Sequence, residues 1–151
     1  MKRREILQWT GTLVALAPWA ARSKTTADEI QVFKGRSCGC CAVWVRHLRE
    51  AGFGVAVVDV HSAAVERRRL GMPDRYGSCH TATVGGYVLE GHVPAADIRR
   101  LLDMRPKALG LAVPGMPASA PGMEVPGRHE PYQVLLVDAA EQATVFASHR
   151  G

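Results

Sequence analysis

Residues 30–50 read Ile30-Gln31-Val32-Phe33-Lys34-Gly35-Arg36-Ser37-Cys38-Gly39-Cys40-Cys41-Ala42-Val43-Trp44-Val45-Arg46-His47-Leu48-Arg49-Glu50. Ile30 to Phe33 has the character of a buried strand. Beyond it, Cys41, Trp44, Val45, Leu48 and Ala51 recur at helical spacing, and Gly52 supplies a stop. The valine-rich stretch Phe53 to Val60 then predicts a second strand parallel to the first. The opening is therefore a β-α-β unit, and Cys38-Gly39-Cys40-Cys41 puts three of the four cysteines at the junction of strand and helix. Ligands of open α/β sheets gather at that edge. A helix N-terminus also favours thiolate over thiol.

Outward from this unit, Ser62 is placed to cap a second helix running through Leu70 and closed by Gly71-Met72-Pro73. Ser78 to Val84 reads as a short strand. Gly85-Gly86 turns it into Tyr87 to Glu90, a hairpin. Pro94 suits the first turn of a third helix, Ala95 to Asp103, with Asp97 near its positive end. This order predicts an α/β fold, a thioredoxin-like domain over residues 30–104. Residues 105–151 form a C-terminal extension. Six of the nine prolines fall between 105 and 131, interleaved with glycine. So long a loop is unusual in a compact domain unless it has a task. Tyr132 to Val137 and Ala143 to Phe146 predict a terminal hairpin, which either extends the sheet or stands apart.

Residues 1–21 read as an address. Lys2-Arg3-Arg4 precede an apolar stretch from Ile6 to Ala20, and small residues crowd Ala17 to Ala21. The paired arginines resemble a twin-arginine export signal. The stretch is short of the roughly twenty residues that span a bilayer, so no stable membrane insertion is expected after cleavage. Residues 22–29 are read as a flexible mature N-terminus. The full-chain charge of +5 falls to +3 without residues 1–21. That mild excess, with few aromatics, excludes nucleic acid as a partner. Its only cluster, Glu66-Arg67-Arg68-Arg69, reads as a solvated helix face.

Cys38 and Cys41 form the C-x-x-C pair that a thioredoxin uses for disulfide exchange. Cys40 exceeds what a dithiol needs and offers a competing partner, whereas thiolates that bridge neighbouring Cu(I) ions use every sulfur. A disulfide framework is the structural alternative, but links within four residues constrain little chain entropy. Zinc prefers two separated pairs. In a thioredoxin-like fold, Ser78-Cys79-His80-Thr81 faces the cysteine turn, so Cys79 completes a pocket of four thiols. The alternative is a small buried hydrophobe. His80 adjoins Cys79, and strict strand alternation would turn it away. His92 precedes helix three, where it either caps or serves the site. Met116 and Met123 sit seven residues apart in repeated Pro-Gly-Met triplets. Their thioethers suit Cu(I), or else pin the loop to the core. His47 is read on the polar helix face, His129 as a loop residue able to fold back, and Trp44 as core. His61 and His149 carry no signal. There is no Ser-His-Asp set, phosphate loop or paired-acid constellation.

Several segments together resemble one family. They are Lys34 to Trp44 with its C-x-C-C, Ser78 to Ala82, Gly86-Tyr87, Glu90 to Pro94, Gly110 to Pro117, and Pro121 to Glu124. They are similar to the CopG-like copper-resistance proteins, long treated as a domain of unknown function. The resemblance spans nearly the whole mature chain. It implies an exported thioredoxin-like domain, a cysteine-bridged copper cluster beside C-x-C-C, and a role in copper redox and detoxification. Cys38, Cys40, Cys41 and Cys79 match motif cysteines, and His80, His92, Met116 and Met123 match motif positions. Tyr76-Gly77 departs from the family, which tends to place an apolar residue before the serine. The expectation is a periplasmic protein that sequesters copper or interconverts Cu(I) and Cu(II). The alternatives are a thiol-disulfide oxidoreductase using Cys38 and Cys41, or a chaperone handing copper to periplasmic efflux components.

Overall fold

The computed structural model describes residues 29–151. The export signal read at 1–21 and the segment 22–29, Glu29 apart, lie outside the described residues. From Ile30 the chain forms β1 (Ile30–Gly35), α1 (Gly39–Glu50), β2 (Val55–Val60) and α2 (Ala63–Arg69), then a 3-10 turn (Asp74–Tyr76). There follow β3 (His80–Val84), β4 (Tyr87–Glu90), α3 (Ala95–Met104), β5 (Gly110–Ala112), β6 (Tyr132–Val137) and β7 (Ala143–His149).

The seven strands form one sheet in the order β2-β1-β3-β4-β5-β6-β7. β1 lies parallel to β2 and antiparallel to β3, and β3 pairs antiparallel with β4. With α1 between β1 and β2, α2 before β3 and α3 after β4, this is the thioredoxin-like order. β5 then pairs parallel with β4, and β6 and β7 continue antiparallel. The terminal hairpin thus extends the sheet and does not stand apart. Arg75 fastens its tip to the 3-10 turn by an ion pair with Glu141, Nη1 to Oε2 at 3.1 Å.

The elements follow from local chemistry. α1 buries Cys41, Trp44, Val45 and Leu48, the positions that fall on one helical face. Gly52, at φ 89°, ends it in a conformation that suits glycine. Gly85 and Gly86 both have positive φ, as a two-residue hairpin turn of the β3–β4 kind requires. Trp44 is fully buried among Ile30, Leu48, Leu89 and Ile98, and its indole N–H donates to the Val93 carbonyl at 2.8 Å. A core aromatic of this type is worth about 3–5 kcal/mol against alanine.

Several boundaries and environments differ from the sequence reading. β2 begins at Val55 rather than Phe53, β3 at His80 rather than Ser78, α3 runs to Met104, and β7 to His149. Ser62 occupies the cap position of α2 without a side-chain cap hydrogen bond. Residues 105–131 contain β5, whose Gly110 sits so close to Val88 that any Cβ would overlap Val88 backbone. The Glu66–Arg69 run is not wholly a solvated face. Arg67 is buried, the only buried residue of α2. His149, read as silent, stacks on Tyr132 with ring centroids 4.8 Å apart and meets the Asp97 carboxylate at 2.8 Å.

Candidate metal centre

Cys38 stands at the cap position before α1 in an extended conformation, and Cys40 and Cys41 occupy the first helical turn. One turn of helix therefore projects three sulfurs from the carboxyl end of β1. The antiparallel register that sets Lys34 opposite His80 carries the end of that strand to the start of β3. Cys79 lies in the bend just before β3, where the chain meets the cysteine turn. Its Sγ is 3.9 Å from that of Cys40 and 3.6 Å from that of Cys41, while Cys38 and Cys40 sulfurs are 3.6 Å apart. All four sulfurs lie within 4.8 Å of one another.

The structure holds Cys38 and Cys41 as a disulfide with Cα atoms 5.4 Å apart, leaving Cys40 and Cys79 as free thiols. Cys41 is fully buried, and the other three cysteines are half-buried. Burial, and then the neighbouring Cys40, push the Cys79 thiol up to about 12.

Cys79 also belongs to a second group, with His80 and His92, whose donor atoms likewise lie within 4.8 Å of each other. Cys79 Sγ is 3.1 Å from His92 Nε2 and 3.3 Å from His80 Nδ1. The His80 side chain does not turn away from Cys79. Strand alternation begins only at residue 80, and Cys79 sits in the bend before it. His92 Nδ1 lies 2.7 Å from the Pro121 carbonyl, which can only accept. That contact assigns the proton to Nδ1 and leaves the Nε2 lone pair facing Cys79 (the arrangement metal-binding histidines adopt). His80 is enclosed by Trp44 and His92, with ring centroids at 4.3 and 4.9 Å. Its Nε2 is buried without a hydrogen-bond partner. Burial foremost, and then His92, lower His80 to about 3, and burial likewise lowers His92. Both rings are thus neutral at physiological pH, with lone pairs free to bind a cation. The Cys40 and Cys79 thiols, joined by Cys38 and Cys41 once their disulfide is reduced, form with the neutral imidazoles a soft donor set, and it fits Cu(I).

The extension reaches this region from two sides. Pro121–Met123 lies against the first turns of α1. A Cβ on Gly122, whose φ is 87°, would come within 2.8 Å of the Trp44 amide nitrogen and 3.1 Å of the Cys40 carbonyl. Met123 is half-buried and packs on the main core. On the other side, the Gly115 N–H donates to the Gly77 carbonyl at 3.1 Å, and the Ser78 hydroxyl donates to the Gly115 carbonyl at 2.5 Å. Met116, next in the chain, is exposed. The structure therefore gathers the four cysteine sulfurs and two imidazoles, seats Met123 beside the cysteine helix, and leaves Met116 at the surface.

His47 serves packing: its Nε2 accepts the Ala95 N–H at 3.2 Å, at the start of α3. His61 and His129 are exposed. Sequence reasoning gave no part to Glu90 and Arg67, although Glu90 opens the Glu90-Gly91-His92-Val93-Pro94 motif. Glu90 Oε1 accepts the Ser78 N–H at 2.7 Å and Arg67 Nη1 at 3.2 Å, immediately behind Cys79.

A family model described as a protein of unknown function, DUF411, matches residues 76–123, the span from Tyr76 through Cys79 and both histidines to Met123. Two solved structures of the copper resistance protein CopG are similar to this chain. Form 2 shares 43% sequence identity at a TM-score of 0.77, covering 80% of this chain and 97% of that one. Form 1 shares 43% identity at the same TM-score of 0.77, with coverages of 82% and 98%. No curated protein matches the chain.

Proposed function

Because the chain belongs to the CopG-like family of copper-resistance proteins, we propose that it binds copper in the periplasm, chiefly as Cu(I), in a thiolate cluster. The observation that carries this reading is the meeting of four sulfurs from two distant segments within 4.8 Å. Cys40 is the bridging sulfur, set between Cys38 and Cys79. His80 and His92 are proposed as nitrogen donors. Met123 and Met116 are proposed as thioether donors, Met123 at the cluster and Met116 at its surface. In this reading copper is cargo, and the protein serves resistance by sequestering it or by interconverting Cu(I) and Cu(II).

The chain carries its own source of electrons for such an interconversion. Oxidation of the Cys38 and Cys41 thiolates to their disulfide releases two electrons, which reduce two Cu(II) to two Cu(I). An external thiol reductant then restores the dithiol by exchange. The observed disulfide also favours a second reading, thiol-disulfide exchange without metal. Release of Cu(I) to periplasmic efflux components is the partner interaction proposed. Among the described residues no helix is long and apolar enough to cross a membrane.

Anaerobic titration of the reduced full chain with Cu(I) tests the reading. More than one ion per chain is expected. Binding is expected to weaken as pH falls, because each thiol must lose its proton to become a ligand. Cys79, pushed up to about 12, is protonated when metal-free at neutral pH, so loading displaces its proton. Affinity should then drop about tenfold per pH unit for every proton released. Binding that stayed constant down to strongly acidic pH would rule out thiolate ligation.

A further inference from the structure

A buried ion pair is a poor device for stability, since apolar residues of the same size serve packing as well. The pair between Arg67 and Glu90 therefore calls for another explanation. Glu90 ends β4 with no exposed surface, and Arg67 is buried on α2. Arg67 Nε and Nη2 donate to Asp74 Oδ1 at 3.1 and 2.9 Å, which fixes the plane of the guanidinium. Its Nη1 donates to Glu90 Oε1 at 3.2 Å and points at the Ser78 carbonyl, 3.5 Å away. The same Glu90 oxygen accepts the Ser78 N–H at 2.7 Å. One ion pair thus addresses both main-chain polar groups of the residue before Cys79, and that residue lies in no helix or strand. The close approach needs glycine on both sides. A Cβ at Gly77 would lie 2.8 Å from Arg67 Cζ, and one at Gly91 would lie 2.7 Å from Ser78 Cβ.

We propose that Arg67 and Glu90 are positioning residues that clamp Ser78 and thereby hold the Cys79 sulfur against Cys40 and Cys41. The consequence for copper rests on the proposed function, but the positioning itself is measured without metal. In the reduced, metal-free full chain, iodoacetamide alkylation of each cysteine is followed by mass spectrometry. Arg67→Met combined with Glu90→Leu removes the clamp and leaves no unpaired charge. Cys79 is then expected to react about tenfold faster, the equivalent of losing one charge-assisted hydrogen bond, while Cys38 stays within about twofold. Glu90→Gln keeps an oxygen acceptor for the Ser78 N–H and should retain protection near wild type. Arg67→Lys keeps the charge but loses the fork, and should shift Cys79 in the same direction to a smaller extent. If the double variant does not fold, the Arg67→Lys result alone decides.

With Cu(I), the double variant should lose the copper and the sulfur-to-copper absorption that Cys79→Ser loses. Adding Cys79→Ser to it should cost nothing more. Unchanged Cys79 alkylation, or equal acceleration of every cysteine, would overturn the proposal. If Cys79 alkylation shifts as expected while the wild-type chain takes up no Cu(I), the copper reading fails and the positioning role stands.

Discussion

Cys40→Ser is expected to collapse multinuclear copper binding while sparing the dithiol chemistry. Cys40 takes no part in the Cys38–Cys41 disulfide, and it lies 3.6 Å from the Cys38 sulfur and 3.9 Å from the Cys79 sulfur. In the proposed cluster a sulfur so placed links the two segments, because one thiolate can bridge two soft ions. Serine replaces it with a hard, protonated oxygen that binds Cu(I) poorly. Cu(I) uptake should fall to at most one ion per chain, with affinity down by at least about a hundredfold, since even indirect ligand changes cost 10–100-fold. Exchange of the Cys38–Cys41 pair with a small disulfide should stay within about twofold, because both reacting thiols remain. The measurements are anaerobic copper stoichiometry and stopped-flow disulfide exchange on the same preparation. Unaltered stoichiometry would remove Cys40 from the cluster. Loss of both activities together would mean that the substitution disturbs α1 itself.

Gly91→Ala is expected to be the most damaging single-atom change near the site. Gly91 has φ 72°, a region that costs an L-residue about 1–2 kcal/mol. Its added Cβ would also stand 2.6 Å from the Val113 carbonyl oxygen and 2.7 Å from Ser78 Cβ. The Val113 backbone is held in place, since its N–H donates to the Glu90 carbonyl at 2.9 Å. Strain and overlap together should cost about 3 kcal/mol or more, about 10 °C in Tm for a domain of this size. Gly127→Ala is the control. Gly127 has a comparable φ of 77° but open space around its Cβ direction, so it should show the conformational cost alone. Thermal unfolding of the reduced, metal-free chain reads both. Equal melting points for the two variants would mean that the packing around Ser78 and Gly91 has room to spare.

The fold was legible wherever the chain announces its own turns. Gly52, Gly71 and Gly85-Gly86 mark element ends, and the Cys41-Trp44-Val45-Leu48 face of α1 is an unmistakable helical stripe. β5 was not legible. Gly110-Leu111-Ala112 has neither alternation nor β-branched residues, and it becomes a strand because β4 and β6 flank it. Tertiary context overrides local preference there. Arg67 misled for the same reason. In a basic run it looks solvated, and only Asp74 and Glu90, brought from elsewhere, make its burial tolerable.

At the site, the approach of Cys79 to the cysteine turn follows from topology, because β1 and β3 are neighbours in any chain of this order. The orientation of His92 does not. It depends on the Pro121 carbonyl, 29 positions away in an irregular loop that no periodicity describes. The role of the proline-rich extension was hidden likewise. It meets the site largely through its own main chain, by the Gly115 N–H and carbonyl, the Pro121 carbonyl and the close approach of Gly122 to α1, and such contacts leave no pattern of side chains in the sequence.

X-ray absorption at the copper edge, on the reduced full chain loaded anaerobically with Cu(I), tests the central claim most directly. A first shell dominated by sulfur, with a copper–copper distance in the second, is the result expected from four sulfurs within 4.8 Å of one another. A shell of nitrogen and oxygen alone, without copper–copper scattering, would contradict it.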